Sequence, residues 1–236
     1  MKVSVIIPTY NRYDNLLNCL ESIENQTLKP YEIIVVNDGS TDSRYKTFKN
    51  YNNVIFLNTT GSKNKLGYPC GALSRNYGLK TAQGDYIAFC DDDDIWMPEK
   101  LEKQISLMKE KNILMSCTDG YIGNGFFKCD YKYARYNGEH YKTILKQKLE
   151  ISDKNDFPDI INKDLLEKHN LIITSSVIFN KELIDQVGYM KLIKNGGEII
   201  NGKKEWQDYE YWKRMLNFTD CLYIKFPLFY YDLNKY

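Results

Sequence analysis

Four consecutive aspartates, Asp91, Asp92, Asp93 and Asp94, directly follow the apolar run Tyr86-Ile87-Ala88-Phe89-Cys90. Crowded carboxylates repel one another, raise each other's pKa and are costly to desolvate unless a cation compensates them. A divalent metal is the natural compensator. Along an extended chain successive side chains face opposite ways, so Asp91 and Asp93 would share one side and Asp92 and Asp94 the other. The run then offers an ion one Asp-x-Asp pair, and oxygen-only ligands favour Mg2+, Mn2+ or Ca2+ over zinc. The competing reading is a solvated acidic loop or helix cap, and the flanking sequence has to decide.

The elements that would position these carboxylates alternate between strand and helix. Val3 to Ile7 is a continuous apolar run stopped by Pro8, as expected of a strand buried on both faces. Asn11 is placed to cap a helix in which Leu16, Leu17, Leu20 and Ile23 recur at helical spacing. Glu32 to Val36 is a second buried strand ending at Asn37-Asp38-Gly39-Ser40, with a short polar helix from Asp42 and a third strand over Asn53 to Leu57. Residues 71 to 82 read as a helix closed by Gly84, and Tyr86 to Cys90 as the fourth strand. This order predicts an α/β fold with a largely parallel, Rossmann-like sheet between helices. Ligands of such sheets bind beyond the carboxyl ends of the strands. Thr9-Tyr10-Asn11, Asn37-Asp38-Gly39 and the aspartate run would thus meet on one rim.

After Pro98 a helix from Glu99 to about Lys111 leads into a strand over Ile113 to Cys117. The pattern then loosens: residues 119 to 162 are rich in Tyr, Gly, Asn and Lys, with a strand expected around Phe126 to Tyr133 and a helix near Tyr141 to Lys148. Ile172 to Phe179 reads as a strand and Lys181 to Val187 as a helix. Lys191 to Lys204 has little periodicity and reads as a mobile loop that could act as a lid. Trp206 to Leu216 is expected to be helical, with strands over Leu222 to Ile224 and Leu228 to Tyr231. We read one domain in two halves, 1–118 and 119–236.

Composition narrows the function classes. With 32 basic and 31 acidic residues, nothing draws the chain to nucleic acid or an anionic surface through global charge. Tyrosine is abundant, at 20 residues, and suits the walls of polar clefts. The six cysteines form no C-x-x-C pair and lie mostly in apolar segments, which favours free thiols and a reducing, cytoplasmic setting. His140 and His169 suggest no zinc site. No apolar stretch reaches the ~18 residues of a membrane span, which leaves only peripheral membrane contact open.

The segments Ser4-Val5-Ile6-Ile7-Pro8-Thr9-Tyr10-Asn11-Arg12, Glu32 to Asp42 and Gly84 to Leu101 closely resemble the inverting glycosyltransferases of family 2, which have the GT-A fold. Ser74-Arg75-Asn76-Tyr77-Gly78 is similar to that family's Ala-Arg-Asn-x-Gly element, and Gln207-Asp208-Tyr209-Glu210-Tyr211-Trp212-Lys213-Arg214 resembles its Glu-Asp-x-x-x-Trp-x-Arg segment. The resemblance runs in order from residue 3 to about 214.

It implies a nucleotide-sugar donor, UDP-linked, and a single-addition transferase, since the Gln-x-x-Arg-Trp motif of processive polymerases is absent. It assigns the Pro8-Thr9-Tyr10 turn to the nucleotide base, with Arg12, Asp38, Arg75, Asp91 and Asp92 also on the nucleotide side. Tyr10 could stack on a base, and Asp38 would accept from a uracil-type N3–H. The metal, Mn2+ or Mg2+, falls to Asp93 directly, with Asp91 binding it through water or holding the ribose, while Asp92, facing away, would meet solvent or order the loop. Trp96 and Pro98 would anchor the loop.

Asp208 is the expected general base, because inverting displacement needs one carboxylate to take the acceptor's proton. Gln207 stands where the family commonly has Glu. Trp206, Glu210 and Trp212 are the candidates for the acceptor wall, a glycan or glycolipid, with core burial an equal reading of Trp212. The chain departs from the family at its end, where Tyr230-Tyr231-Asp232-Leu233-Asn234 lacks the Arg or His that reaches the diphosphate; Lys204 or another loop cation would have to substitute. Two other classes compete with a transferase of this kind. A sugar-1-phosphate nucleotidyltransferase would need a glycine-rich loop that Pro8-Thr9-Tyr10-Asn11-Arg12 does not supply, and a non-catalytic nucleotide-sugar-binding module would keep the fold without turnover.

Overall fold

The computed structural model describes residues 1–48, 53–136, 157–200 and 202–234. Strand β1 (Val3–Thr9) is followed by α1 (Tyr13–Glu24), β2 (Glu32–Asn37), β3 (Val54–Asn58), a single-turn α2 (Ser62–Leu66), α3 (Gly71–Thr81) and β4 (Tyr86–Phe89). The short β5 (Ile95–Trp96), α4 (Lys100–Lys111) and β6 (Met115–Gly123) come next. Beyond lie β7 (Ala134–Arg135), β8 (Ile160–Ile161), α5 (Lys163–Lys168), β9 (Ile178–Asn180), α6 (Leu183–Val187), the hairpin β10 (Glu198–Ile200) and β11 (Lys203–Glu205), α7 (Gln207–Met215) and β12 (Cys221–Asp232).

One sheet dominates, in the order β3-β2-β1-β4-β9-β6-β12-β5. β1, β2, β3 and β4 run parallel, as do β6 and β12, and the antiparallel β9 joins the two groups. Because β6 crosses residue 118 and lies beside β12, both halves of the chain share this sheet. Apolar side chains cover both faces, which explains the continuous apolar runs. Ile6, Ile34, Val36 and Phe89 face the layer of α3 and α7, while Val5, Ile7, Ile33 and Val35 face that of α1 and α4.

Helix α3 lies close on β1 at Gly78, where an added Cβ would come within 2.4 Å of Ile6 Cγ2. Gly78→Ala therefore overpacks the core although alanine favours helix. We expect a loss of about 1–3 kcal/mol in urea unfolding; an unchanged midpoint would contradict this packing.

Several expected elements differ. Ile172 to Phe179 is not one strand: a 3-10 turn over Thr174–Ser176 interrupts it, leaving only the three residues of β9. Hydroxyls in that turn bond to backbone and side chains and so compete with ladder pairing. No strand forms over Phe126 to Tyr133, where the aromatic rings instead cluster around Tyr133. The two expected C-terminal strands are one, β12, with register shifts on either side of Pro227. Asn11 does not cap α1; at φ 52° its side-chain oxygen accepts from the amides of Thr41 (2.8 Å) and Asp42 (3.2 Å), tying the first two strand ends together. The segment read as a mobile loop contains the β10–β11 hairpin. The helix expected near 141–148 lies outside the described residues. Five cysteines are buried, Cys129 is exposed and all are free thiols.

Candidate active site

The aspartate run begins two residues past the end of β4, after Cys90, and there the chain turns instead of extending: the Asp94 amide donates to the Asp91 carbonyl at 3.1 Å. The alternation assumed for a strand does not apply. Asp91, Asp93 and Asp94 converge, each offering one oxygen within 4.8 Å of the others. Asp92 turns inward, is not solvated, and takes an ion pair from Arg12 Nη1 at 3.3 Å; the same nitrogen lies 2.6 Å from Asp93 Oδ2. Burial pushes the Asp92 carboxyl up to about 7, with Arg12 opposing and Asp93 adding to the shift. Asp94 is fully buried and its Oδ2 has no hydrogen-bond partner, while Oδ1 accepts from the Asp232 amide at 3.1 Å. Burial, then Asp93 and Asp91, raise its pKa well above the ordinary carboxylate value. Three carboxylate oxygens within 4.8 Å of one another, in a cluster whose Asp94 also carries a buried oxygen without a partner, suit a hard divalent cation.

Arg75 reaches this cluster from α3. It is buried, its guanidinium pairs with Asp91, and its charge lies 5.9 Å from the Phe89 ring centroid. On the other side of Arg75 is Asp208, at the start of α7, with Oδ2 accepting from Thr174 Oγ1 (3.2 Å) and Oδ1 from the Tyr209 amide (2.8 Å). Burial raises the Asp208 pKa; the Tyr209 amide and Arg75 oppose that shift, and the Asp91 charge adds to it. A carboxylate so placed is a stronger base than a solvated one.

Two cavities meet here. The larger, about 1060 Å³, is bordered by Pro8, Thr9, Tyr10, Arg12, Asp38 and Asp91 to Asp93, among others. The smaller, about 260 Å³, is bordered by Asp208, Trp206, Thr174, Lys194, Tyr136 and Tyr231, among others. Arg75, Asp91, Gly196 and Gln207 line both and so form the seam. Tyr10 is half exposed on the rim of the larger cavity, available for stacking. Thr9 is buried, its hydroxyl 2.7 Å from Tyr45 Oη. Asp38 accepts from Ser62 N (2.8 Å), Ser62 Oγ (2.5 Å) and Ser74 Oγ (3.0 Å), which pins the second strand end to α2 and α3.

Not every expected residue arrives. Trp206 lines the smaller cavity, but Trp212 is fully buried beside Phe89 and Tyr211, and Glu210 points away into ion pairs with Lys191 (2.7 Å) and Arg214 (3.0 Å). The helical period explains this: a face that carries Tyr211, Trp212 and Met215 into the core carries its neighbours away from the cavity. Lys204 lies over the Trp206 ring at 5.1 Å, and the loop cation lining the cavity is Lys194. Gln207 has a use that its place in the sequence did not suggest, since its side-chain oxygen accepts from the Ala72 amide and Asn195 Oδ1 accepts from the Gly71 amide (3.1 Å), both at the start of α3. Tyr45, Thr174, Ser175 and Asn195 were missed altogether, because single hydroxyls and amides in loops carry no periodic or motif signal.

A buried acidic cluster, the buried Asp208 carboxylate and Arg75 thus border one cleft at the strand ends of an α/β scaffold. The chain belongs to glycosyl transferase family 2, which it matches over residues 4–169. It is 38% identical over 142 residues to the poly(ribitol-phosphate) beta-glucosyltransferase of Bacillus spizizenii, a match covering 56% of this chain and 21% of that protein. It is 35% identical over 126 residues to the Escherichia coli UDP-Glc:alpha-D-GlcNAc-diphosphoundecaprenol beta-1,3-glucosyltransferase WfaP, covering 52% and 48%. The fold is that of residues 1–349 of S. aureus TarS, solved in complex with UDP-GlcNAc, with a TM-score of 0.70 at 20% identity over 100% of this chain and 60% of that one. The chain thus has a GT-A fold and spans less than two thirds of the length of each of these relatives. No helix among the described residues is long and apolar enough to cross a membrane.

Proposed function

We propose that this chain is a metal-dependent, inverting glycosyltransferase that moves one sugar from a UDP-sugar to a glycan or glycolipid acceptor. The observation that carries this reading is the seam: Arg75 and Asp91 border both cavities, with the acidic cluster on one side and Asp208 on the other. The relatives named for glucosyl transfer and the TarS fragment solved with UDP-GlcNAc support a UDP-linked donor. In this reading residues 1–118 hold the donor, and residues 119–236 supply the base and the acceptor wall.

The donor lies in the larger cavity, its base against Tyr10 and near Asp38 and its diphosphate toward Asp91 and Asp93. Asp91, Asp93 and Asp94 would hold Mn2+ or Mg2+, which when bound neutralises charge on the leaving diphosphate. Arg75 and Lys194 add positive charge at the same end. An acceptor hydroxyl enters from the smaller cavity beside Trp206, and Asp208 takes its proton as the oxygen bonds to the anomeric carbon. The carbon–oxygen bond to the diphosphate breaks on the opposite face, and its electron pair leaves on the phosphate oxygen. One displacement inverts the anomeric configuration.

Family membership and the glycine-free Pro8 to Arg12 turn speak against a nucleotidyltransferase. A thermal-shift screen of nucleotide sugars with and without Mn2+ tests the donor side. A rise in melting temperature confined to UDP-linked sugars and dependent on Mn2+ is expected; stabilisation that ignores the metal, or that is equal for nucleotides of every base, would contradict it.

A further inference from the structure

Thr174, Ser175 and Ser176 form one turn of 3-10 helix, and all three are buried. Three successive hydroxyls in a core are costly unless each is bonded, so their partners are informative. Thr174 Oγ1 donates to Asp208 Oδ2 at 3.2 Å. Ser175 Oγ accepts from the Asp91 amide at 2.9 Å, which ties it to the start of the acidic loop. Ser176 turns its hydroxyl back to the Ile173 carbonyl at 2.7 Å and closes the turn.

The turn is also held from beneath. The Ser175 carbonyl accepts from Trp96 Nε1 at 2.9 Å, and the Ser176 carbonyl from Gln104 Nε2 at 3.0 Å and from Lys100 Nζ at 3.4 Å. Lys100 is fully buried against the Trp96 ring. Lys100 also donates to Gln104 Oε1 at 2.6 Å and Gln104 to Ser116 Oγ at 2.9 Å, so the turn is held by a connected polar network inside the core and is a rigid part of the scaffold. Neighbouring hydroxyls on it then bond the acidic loop and the carboxylate across the seam.

We propose that the Thr174-Ser175-Ser176 turn is the positioning element that fixes the base relative to the acidic cluster: Thr174 orients the Asp208 carboxylate and Ser175 holds the Asp91–Asp94 loop. The inference rests on the reading of Asp208 as base and of the cluster as the metal and diphosphate site. Its signature is a split. Loss of the Thr174 hydroxyl disturbs only the proton-accepting side, and loss of the Ser175 hydroxyl disturbs the donor side.

The test uses UDP release from UDP-glucose and UDP-GlcNAc in the presence of Mn2+, together with calorimetric titration of UDP with and without Mn2+. Thr174→Val is expected to lower kcat about tenfold, the scale of one lost hydrogen bond to a charged group, without changing UDP affinity. Thr174→Ser restores turnover. Ser175→Ala weakens Mn2+-dependent UDP binding about tenfold by the same reasoning, and Ser175→Cys, which preserves the packing, does so too. Asp208→Asn serves as reference. If Asp208→Asn abolishes turnover while Thr174→Val matches wild type, or Thr174→Ser is as slow as Thr174→Val, the positioning role is overturned and the base stands. Wild-type UDP binding in both Ser175 variants also overturns it. If Asp208→Asn turns over normally, the base assignment itself falls, and the inference with it.

Discussion

Asp208→Asn is expected to reduce turnover by about 10²- to 10⁴-fold, the usual contribution of a positioned general base, while Mn2+-dependent UDP binding survives. The amide preserves the shape of the side chain, its one oxygen can still accept from the Tyr209 amide, and the Thr174 hydroxyl can rotate to accept from the new NH2, so folding is little disturbed. What it loses is the ability to take a proton. In the proposed role only the ionised carboxylate would accept the proton, and burial raises its pKa above the ordinary value. Turnover should therefore rise with pH through that raised pKa and level off above it, and this acid limb should vanish with the substitution. Stopped-turnover assays across pH, with calorimetry on the same preparations, separate the two effects. Loss of UDP binding with unchanged turnover at saturation would remove Asp208 from the role of base.

Asp93→Asn should act on the other side of the seam. Removing one of three converging carboxylates takes away a charged ligand oxygen, and the gain in UDP affinity that Mn2+ confers should fall on the order of 10²-fold, the scale of truncating one partner of a buried charge pair. Arg12 keeps its ion pair with Asp92, so the loop retains an anchor and the effect is not one of unfolding. UDP titrated against wild type and variant, each with and without Mn2+, reads this directly. Equal metal dependence in the two would exclude Asp93 as a ligand.

The parallel sheet was legible because both of its faces are covered, which writes its strands as largely apolar runs such as Val3 to Ile7 or Ile33 to Val36. Its strand ends bring Tyr10, Asp38 and Asp91 to the same cleft, where Arg75 of α3 joins them. The internal geometry of the aspartate run was not legible. Alternation holds only while the chain is extended, and the strand stops at Phe89, so the turn that follows brings Asp94 beside Asp91 and Asp93. Thr174, Ser175 and Ser176 were hidden for a related reason: inside the apolar run from Ile172 to Phe179, three small polar residues look like strand positions, and only their partners reveal a turn. In α7 the segment was correct but its faces were not, because Trp212 and Glu210 are set by packing against Phe89, Tyr211 and Arg214. Gln207 and Asn195 bond the first amides of α3, a contact between segments more than a hundred residues apart that local pattern cannot encode.

The seam geometry makes a stereochemical claim. In the proposed reading, with Asp208 as base on one side of the reacting carbon and the diphosphate on the other, a single displacement inverts the anomeric centre. Proton NMR of the first product formed from UDP-α-glucose or UDP-α-GlcNAc reads that centre directly. A β-linked product is expected; an α-linked product would contradict direct displacement across Arg75 and Asp91.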